Sequence, residues 1–439
     1  MSKVTAIFGL MRGDEGKGKI VDLVSKNHDI VIRYAGGPNA GHTIYRNNKK
    51  IVLHQIPSGI LNKNLCIIAR GCVVDLKKLV KELLEIQQIF NGQLNISSEL
   101  NQFDRTDVRN YLLISYGSHI ITQNNIFEDI EREDSGKGNG STKCGIAPTY
   151  RDKYYRSGLR LFDLIKMDKN EVLNITKLSN DEYEYLMQSS MFIDEEKRLN
   201  EVLSENKLNI LFEGAQGTLL DIDSPYYPNV SSSSTGIAGI ISGTGINPNL
   251  MMKNFNSIGV AKIYMSSVGV GKFLTELNDD NAELIRDAGK EYGATTGRPR
   301  KVGWLDLPLL KYSIRTSGIK ELCITRFDTL MEAMKDKGTF KVCVDYKNKQ
   351  DDHIYEYADI WNLNDCEPIY LDFPIWKECS FDDENFKSFI EFLKLELNIY
   401  DCELKYLSIG KNKNDILTIL WKIFLNSLFF YKNSYIKIK

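Results

Sequence analysis

Proline is scarce, with 10 residues in 439, and no Pro/Ser-rich stretch divides the chain, so nothing marks an interdomain linker. Histidine is scarcer still, at five residues. The eight cysteines (Cys66, Cys72, Cys144, Cys323, Cys343, Cys366, Cys379 and Cys402) include no C-x-x-C pair. That spacing argues against a zinc site and for reduced, buried or surface thiols in a cytoplasmic protein. An excess of one charge is also missing: 56 Lys and Arg against 58 Asp and Glu leave a net −2. Neither nucleic acid nor an anionic membrane surface has an electrostatic footprint to meet. Long apolar runs are lacking too. The most apolar stretch, Ile416 to Phe430, is broken by Thr418, Lys422, Asn426 and Ser427. It is shorter than the ~20 residues of a membrane span and reads as a buried helix or a docked tail. The opening MSKVTAIFGLMRGDEGKGK carries no secretory h-region.

What is present is an ordinary folded composition, 42% hydrophobic and 26% charged. Strand patterns at Val4 to Phe8, Asp29 to Tyr34 and Leu65 to Ala69 alternate with helical ones at Ile20 to Lys26 and Leu76 to Ile89. Further strands are expected at Asn209 to Phe212, Ser257 to Tyr264, Glu321 to Thr325, Lys341 to Tyr346 and Glu403 to Leu407. The alternation implies an α/β fold: one large domain over residues 1–439 around a central, mostly parallel sheet, with elaborated loops.

The strongest local signal is Gly13-Asp14-Glu15-Gly16-Lys17-Gly18-Lys19, between a strand and a helix. This is the context of a P-loop-like nucleotide-binding turn, in which glycines admit a phosphate to the backbone N–H groups. The usual hydroxyl for Mg²⁺ is missing, because Ile20 follows Lys19. Asp14 offers a hard cation an anionic oxygen instead.

A second glycine-rich turn, Ala35-Gly36-Gly37-Pro38-Asn39-Ala40-Gly41-His42-Thr43, follows the next strand. Consecutive strand ends of a parallel sheet share one edge, so His42 and Asn39 are expected beside the first turn. A lone histidine is more often structural. Beside a phosphate turn, Asp14 and His42 form a candidate acid–base pair. Two further features stand apart: Arg298 and Arg300 after Thr295-Thr296, a plausible clamp for a dicarboxylate, and Gln216 among glycines, whose amide suits a purine edge.

GDEGKGK, IRYAGGPNAGHT and IPSGIL (Ile56 to Leu61) together resemble adenylosuccinate synthetases. STKCGIAP (Ser141 to Pro148), FEGAQGTLLDID (Phe212 to Asp223) and GATTGRPRKVGWLD (Gly293 to Asp306) extend the resemblance over roughly residues 3 to 410. It implies GTP-dependent ligation of L-aspartate to IMP through a 6-phosphoryl-IMP intermediate, with Mg²⁺ on Asp14 and the Gly41 carbonyl. Asp14, His42, Lys17 and Gln216 would be catalytic. GTP would meet Gly13, Glu15, Gly16, Lys17, Gly18, Lys19, Gly41, His42, Thr43 and Arg300, with its base on Arg326, Asp328, Ser408 and Gly410. IMP would meet Asp14, Asn39, Ser141, Thr142, Gln216, Ser231 and Arg298, and Arg156 of a second copy in a homodimer. Aspartate would meet Ala294, Thr295, Thr296, Arg298 and Arg300. Lys143-Cys144 stand where the family has Gly-Arg, Arg326 where it has Lys, and Ser231 where it has Thr. Two other readings stay open here: a GTPase-like switch and a non-enzymatic nucleotide-binding protein. The arginine loop and Gln216 argue against a switch, which needs no dicarboxylate site.

Overall fold

A computed structural model describes residues 2–46, 49–91, 107–138, 140–268, 271, 273–292, 297, 299–350, 352–355, 360–399 and 401–419. Ten of the described strands form one sheet. In chain order they are β1 (Val4–Gly9), β2 (Ile30–Arg33), β3 (Leu65–Ile68), β4 (Leu112–Ser115), β5 (Phe192–Ile193), β6 (Ile210–Gly217), β7 (Phe255–Lys262), β8 (Glu321–Thr325), β9 (Glu403–Ser408) and β10 (Ile416–Thr418). Across the sheet they run β10-β9-β8-β7-β1-β6-β2-β3-β4-β5. All these pairings are parallel except β9 with β10.

The strands are apolar on both faces because helices cover both. Successive side chains alternate between two cores. Ala6, Phe8, Ile32 and Phe212 enter one, while Ile7, Val31 and Leu211 enter the other. The first core also covers a smaller sheet built on Tyr264–Ser267, Lys301–Asp306, Thr339–Asn348 and Cys366–Pro374.

Four helices matter for the site: α1 (Lys17–Val24), α2 (Leu76–Phe90), α3 (Ile146–Tyr155) and α4 (Phe327–Met334). The Asp75 carboxylate caps α2 by accepting from Lys78 N at 3.1 Å. α1 starts at Lys17, three residues before the expected Ile20, with Gly16 as its N-cap at φ 88°.

The expected strands are all found, with ends shifted by at most two residues except that Ile210–Gly217 runs five residues past the expected Phe212. Of the two readings of the C-terminal apolar stretch, a buried helix or a docked tail, the described part fits the second. Its first residues are not helical: Ile416–Thr418 pair antiparallel with β9 at the sheet's edge, and residues 420–439 lie outside those described. All eight cysteines are free and seven are buried. Among the described residues no helix is long and apolar enough to cross a membrane.

Candidate active site

Parallel strands end together, and the candidate residues follow those ends. The phosphate turn follows β1, the His42 turn follows β2, Gln216 closes β6, Arg326 and Asp328 follow β8, and Gly410 follows β9. The sheet therefore gathers on one edge residues that lie hundreds of positions apart.

Inside the turn, Glu15 is fully buried and faces inward. Its Oε1 accepts from the Met11 and Gly13 amides at 3.1 and 2.9 Å, and its Oε2 takes the Lys17 ammonium at 2.7 Å. The carboxylate thus fixes the loop and holds a desolvated cation at the helix start. Asp14 sits in the left-handed region at φ 58°, a conformation asparagine and aspartate tolerate better than most residues. From the far side, Thr325 Oγ1 donates to the Glu15 carbonyl at 2.8 Å, tying the end of β8 to the turn.

His42 lies directly against this turn. A Cβ on Gly18 would stand 2.9 Å from His42 Cβ and 3.2 Å from its Cα, so only glycine permits the approach. His42 Nδ1 hydrogen-bonds Glu213 Oε1. Glu213, fully buried on β6, also accepts from the Ser58 amide and hydroxyl, each at 2.7 Å. Burial lowers the His42 pKa below the usual imidazole value, against the pull of the Glu213 charge. Burial pushes Glu213 upward, but His42, Arg33 and Ser58 overcome it and hold the carboxyl below its ordinary range. A neutral ring donating Nδ1–H to a carboxylate follows, with Nε2 left for a ligand. Glu213 lies in a recognised block, yet no local pattern in the sequence pairs it with His42.

Gln216 Nε2 donates to Asn39 Oδ1 at 3.2 Å, and Gln216 Oε1 is buried without a hydrogen-bond partner. The amide is oriented and has one acceptor to spare. α3 packs over the same turn, where the Tyr150 hydroxyl accepts from the Gly36 amide at 3.0 Å. The segment preceding α3 joins it at Ile146, which lies against Gly37 of the same turn. In that segment Ser141 Oγ donates to Asp129 Oδ2 at 2.8 Å, and Thr142 is partly buried beside it. Ser231 is partly buried, its amide bound to the Leu220 carbonyl at 2.8 Å. Arg156 ends α3 at φ 65° and is exposed, beside Tyr154 and Tyr155 at 70% and 80% exposure.

Arg300 reaches two acids: Nη2 meets Asp14 Oδ2 and Nη1 meets Glu291 Oε2, both at 2.7 Å. Glu291 is fully buried and also accepts from Lys262 and Tyr264 at 2.6 Å. Burial opposes its charge, but Lys262, Arg300 and Arg326 outweigh burial and bring its pKa down to about 2. Glu291 is a second residue the sequence reading passed over. Ala294, Thr295, Thr296 and Arg298 lie outside the described residues.

At the other end, Lys19 Nζ reaches Ser408 Oγ and the Gly410 carbonyl, each at 2.8 Å, rather than turning into the phosphate loop. Burial lowers its pKa to about 8. Arg326 caps α4 and Asp328 occupies the first turn, both close enough to act on the Lys19 charge. Gly41 has open space around its Cα, and Thr43 follows His42 on a hairpin strand. Among the described residues no three His, Cys, Asp or Glu side chains form a metal cage. A cation here would rest on Asp14, backbone oxygen and ligand oxygens, the donor set that suits Mg²⁺.

A family model described as adenylosuccinate synthetase matches residues 6–417. The adenylosuccinate synthetase of Thermoplasma volcanium is 38% identical, with 86% of this chain and 87% of the relative covered. That of Thermodesulfovibrio yellowstonii is also 38% identical, covering 94% and 97%. The fully ligated adenylosuccinate synthetase of Plasmodium falciparum superposes with a TM-score of 0.80 at 32% identity, covering 95% of this chain and all of that one.

Proposed function

This chain belongs to the adenylosuccinate synthetase family, ligases that join L-aspartate to IMP at the expense of GTP, and we propose how its own residues divide that work. Oxide leaves a purine poorly, so O6 must first be phosphorylated. Asp14 takes the N1 proton of IMP. O6 attacks the γ-phosphorus of GTP, the bond to the β,γ-bridging oxygen breaks, and GDP departs. His42, held by Glu213, faces the transferring group and stabilises its charge. The aspartate amine then adds at C6, the C6–O bond breaks, and inorganic phosphate leaves as the amine loses a proton. Lys17, already desolvated beside Glu15, meets the phosphates together with the amides of Gly16 and Gly18, while the Gly13 amide stays on Glu15.

Gln216 and Asn39 orient the purine, and Ser141, Thr142 and Ser231 receive the rest of IMP. Arg300, with Arg298 and the threonines before it, takes the carboxylates of aspartate. Its contact with Asp14 links that pocket to the proton acceptor. Asp328, Arg326, Ser408 and Gly410 read guanine. When bound, Mg²⁺ supplies charge neutralisation at the phosphates, held by Asp14 and the Gly41 carbonyl. Arg156, exposed beside two exposed tyrosines, reaches the IMP phosphate of a second copy in a homodimer. The chain works as one domain in the cytoplasm.

The observation that carries this reading is the contact of Gly18 with His42, which makes two separate turns one site. The test is to mix the purified protein with IMP, GTP, Mg²⁺ and L-aspartate and to follow purine absorbance and phosphate release. Phosphate release that requires both IMP and aspartate is expected. Release from GTP alone at the same rate would make the protein a GTPase and overturn the assignment.

A further inference from the structure

The Lys19 ammonium has three N–H donors, and one loop supplies oxygens for all three. Ser408 Oγ lies at 2.8 Å, the Gly410 carbonyl at 2.8 Å and the Asp415 carbonyl at 2.9 Å. Two of these oxygens are backbone, so the bonds fix the course of the loop and not only a side chain. Asp22, three residues further along α1 and fully buried, makes a second tie: its Oδ2 pairs with Lys413 Nζ at 3.0 Å. Within the loop, the Ile409 amide donates to the Asp415 carbonyl at 3.0 Å and the Asn412 amide to Asp415 Oδ2 at 2.8 Å. One face of α1 therefore holds loop 408–415 at two points, while the start of the same helix is the phosphate turn.

We propose that Lys19 is a positioning residue for base selection: it shapes loop 408–415 around the guanine edge and does not grip a phosphate. This deepens the reading above and rests on its assignment of Ser408, Gly410 and Asp328 to guanine. Lys19→Met keeps the chain length and removes every donor. Lys19→Arg keeps the charge, but a planar fork cannot send three N–H groups along tetrahedral directions.

The measurement is the ratio of kcat/KM for GTP to that for ITP, which lacks only the 2-amino group, with IMP, L-aspartate and Mg²⁺ saturating. The ratio is expected to fall about tenfold or more in Lys19→Met, with no recovery in Lys19→Arg. A phosphate ligand would weaken both nucleotides alike, leave the ratio within about twofold of wild type, and be rescued by arginine; that result would overturn the proposal. Lys413→Met, which cuts the second tie without touching Lys19, is expected to lower the same ratio. If Lys19→Met does not fold, an unchanged ratio in Lys413→Met overturns the proposal instead. A wild-type protein that uses GTP and ITP equally would defeat the guanine assignment itself. A preserved preference that neither variant moves would defeat only the role of Lys19.

Discussion

Glu213→Gln is the sharpest perturbation of the site. The carboxylate accepts from His42 Nδ1, from the Ser58 hydroxyl and from the Ser58 amide. Glutamine has the same shape but one accepting end. If its carbonyl stays on His42, its NH₂ confronts the Ser58 amide, and an unpaired buried donor costs about 1–3 kcal/mol. If the amide turns over, NH₂ confronts His42 Nδ1, which must then accept, and the ring proton moves to Nε2, the nitrogen facing the substrate. Either way the negative charge that supports the ring is lost. A positioned acid or base contributes about 10²–10⁴-fold, and kcat is expected to fall by an amount in that range while the KM values change little. Steady-state absorbance kinetics on the purified variant measure this, with thermal melting by circular dichroism as the check on folding. Ser58→Ala is the companion: it removes one hydrogen bond but keeps the carboxylate, and kcat is expected to fall less than about tenfold. A Glu213→Gln enzyme with kcat within about threefold of wild type would refute the claim that this carboxylate sets the imidazole.

Arg300→Leu removes the fork between Asp14 and Glu291, so the aspartate KM is expected to rise about 10- to 100-fold, more than those of IMP and GTP; equal rises would deny the dicarboxylate role. Gly18→Ala places a Cβ 2.9 Å from His42 Cβ, and overpacking there should cost about 1–3 kcal/mol and displace the ring; a fully active, equally stable variant would show that the turn can yield. Glu82 is buried under the 54–56 segment that leads to Ser58, accepting from the amides of His54 and Gln55 at 2.8 and 3.0 Å. Burial raises its pKa from the ordinary 4.5 to about 7. The folded state then binds the extra proton between those values, so this group favours folding below about pH 4.5 and loses that advantage as pH rises to 7. About 3 kcal/mol is at stake. Denaturant unfolding at pH 5 and pH 8 should show a smaller loss in Glu82→Gln than in wild type, and equal losses would contradict the assignment.

The glycine-rich turns are legible in the sequence because their chemistry is local: Asp14, Gly16, Lys17 and Gly18 act within one short segment. Strands and helices followed from apolar runs, though β4, as long as β2 and β3, went unassigned, and the two-residue β5 is too short to stand out. The helix start was misplaced because Gly18 is a poor helix former whose presence answers to His42 instead. The tail could not be assigned from pattern alone, since a short apolar run fits a strand as well as a helix.

The acids that hold the site's nitrogen donors show why the rest was hidden. Lys17, Arg300 and His42 each lean on a fully buried glutamate: Glu15, Glu291 and Glu213. The separations are 2, 9 and 171 residues. A contact between neighbours in the chain can be read from a motif, whereas one between β6 and the turn after β2 exists only after those strands pair. The motifs therefore reveal the groups that touch substrate, and the fold adds the partners that fix their charge and direction. Removing the acid leaves a buried donor unpaired, which costs about 1–3 kcal/mol for a neutral N–H and several for a cation. Exchanging Glu213 or Glu291 should therefore damage the site as surely as exchanging His42 or Arg300, although neither glutamate is assigned to a substrate.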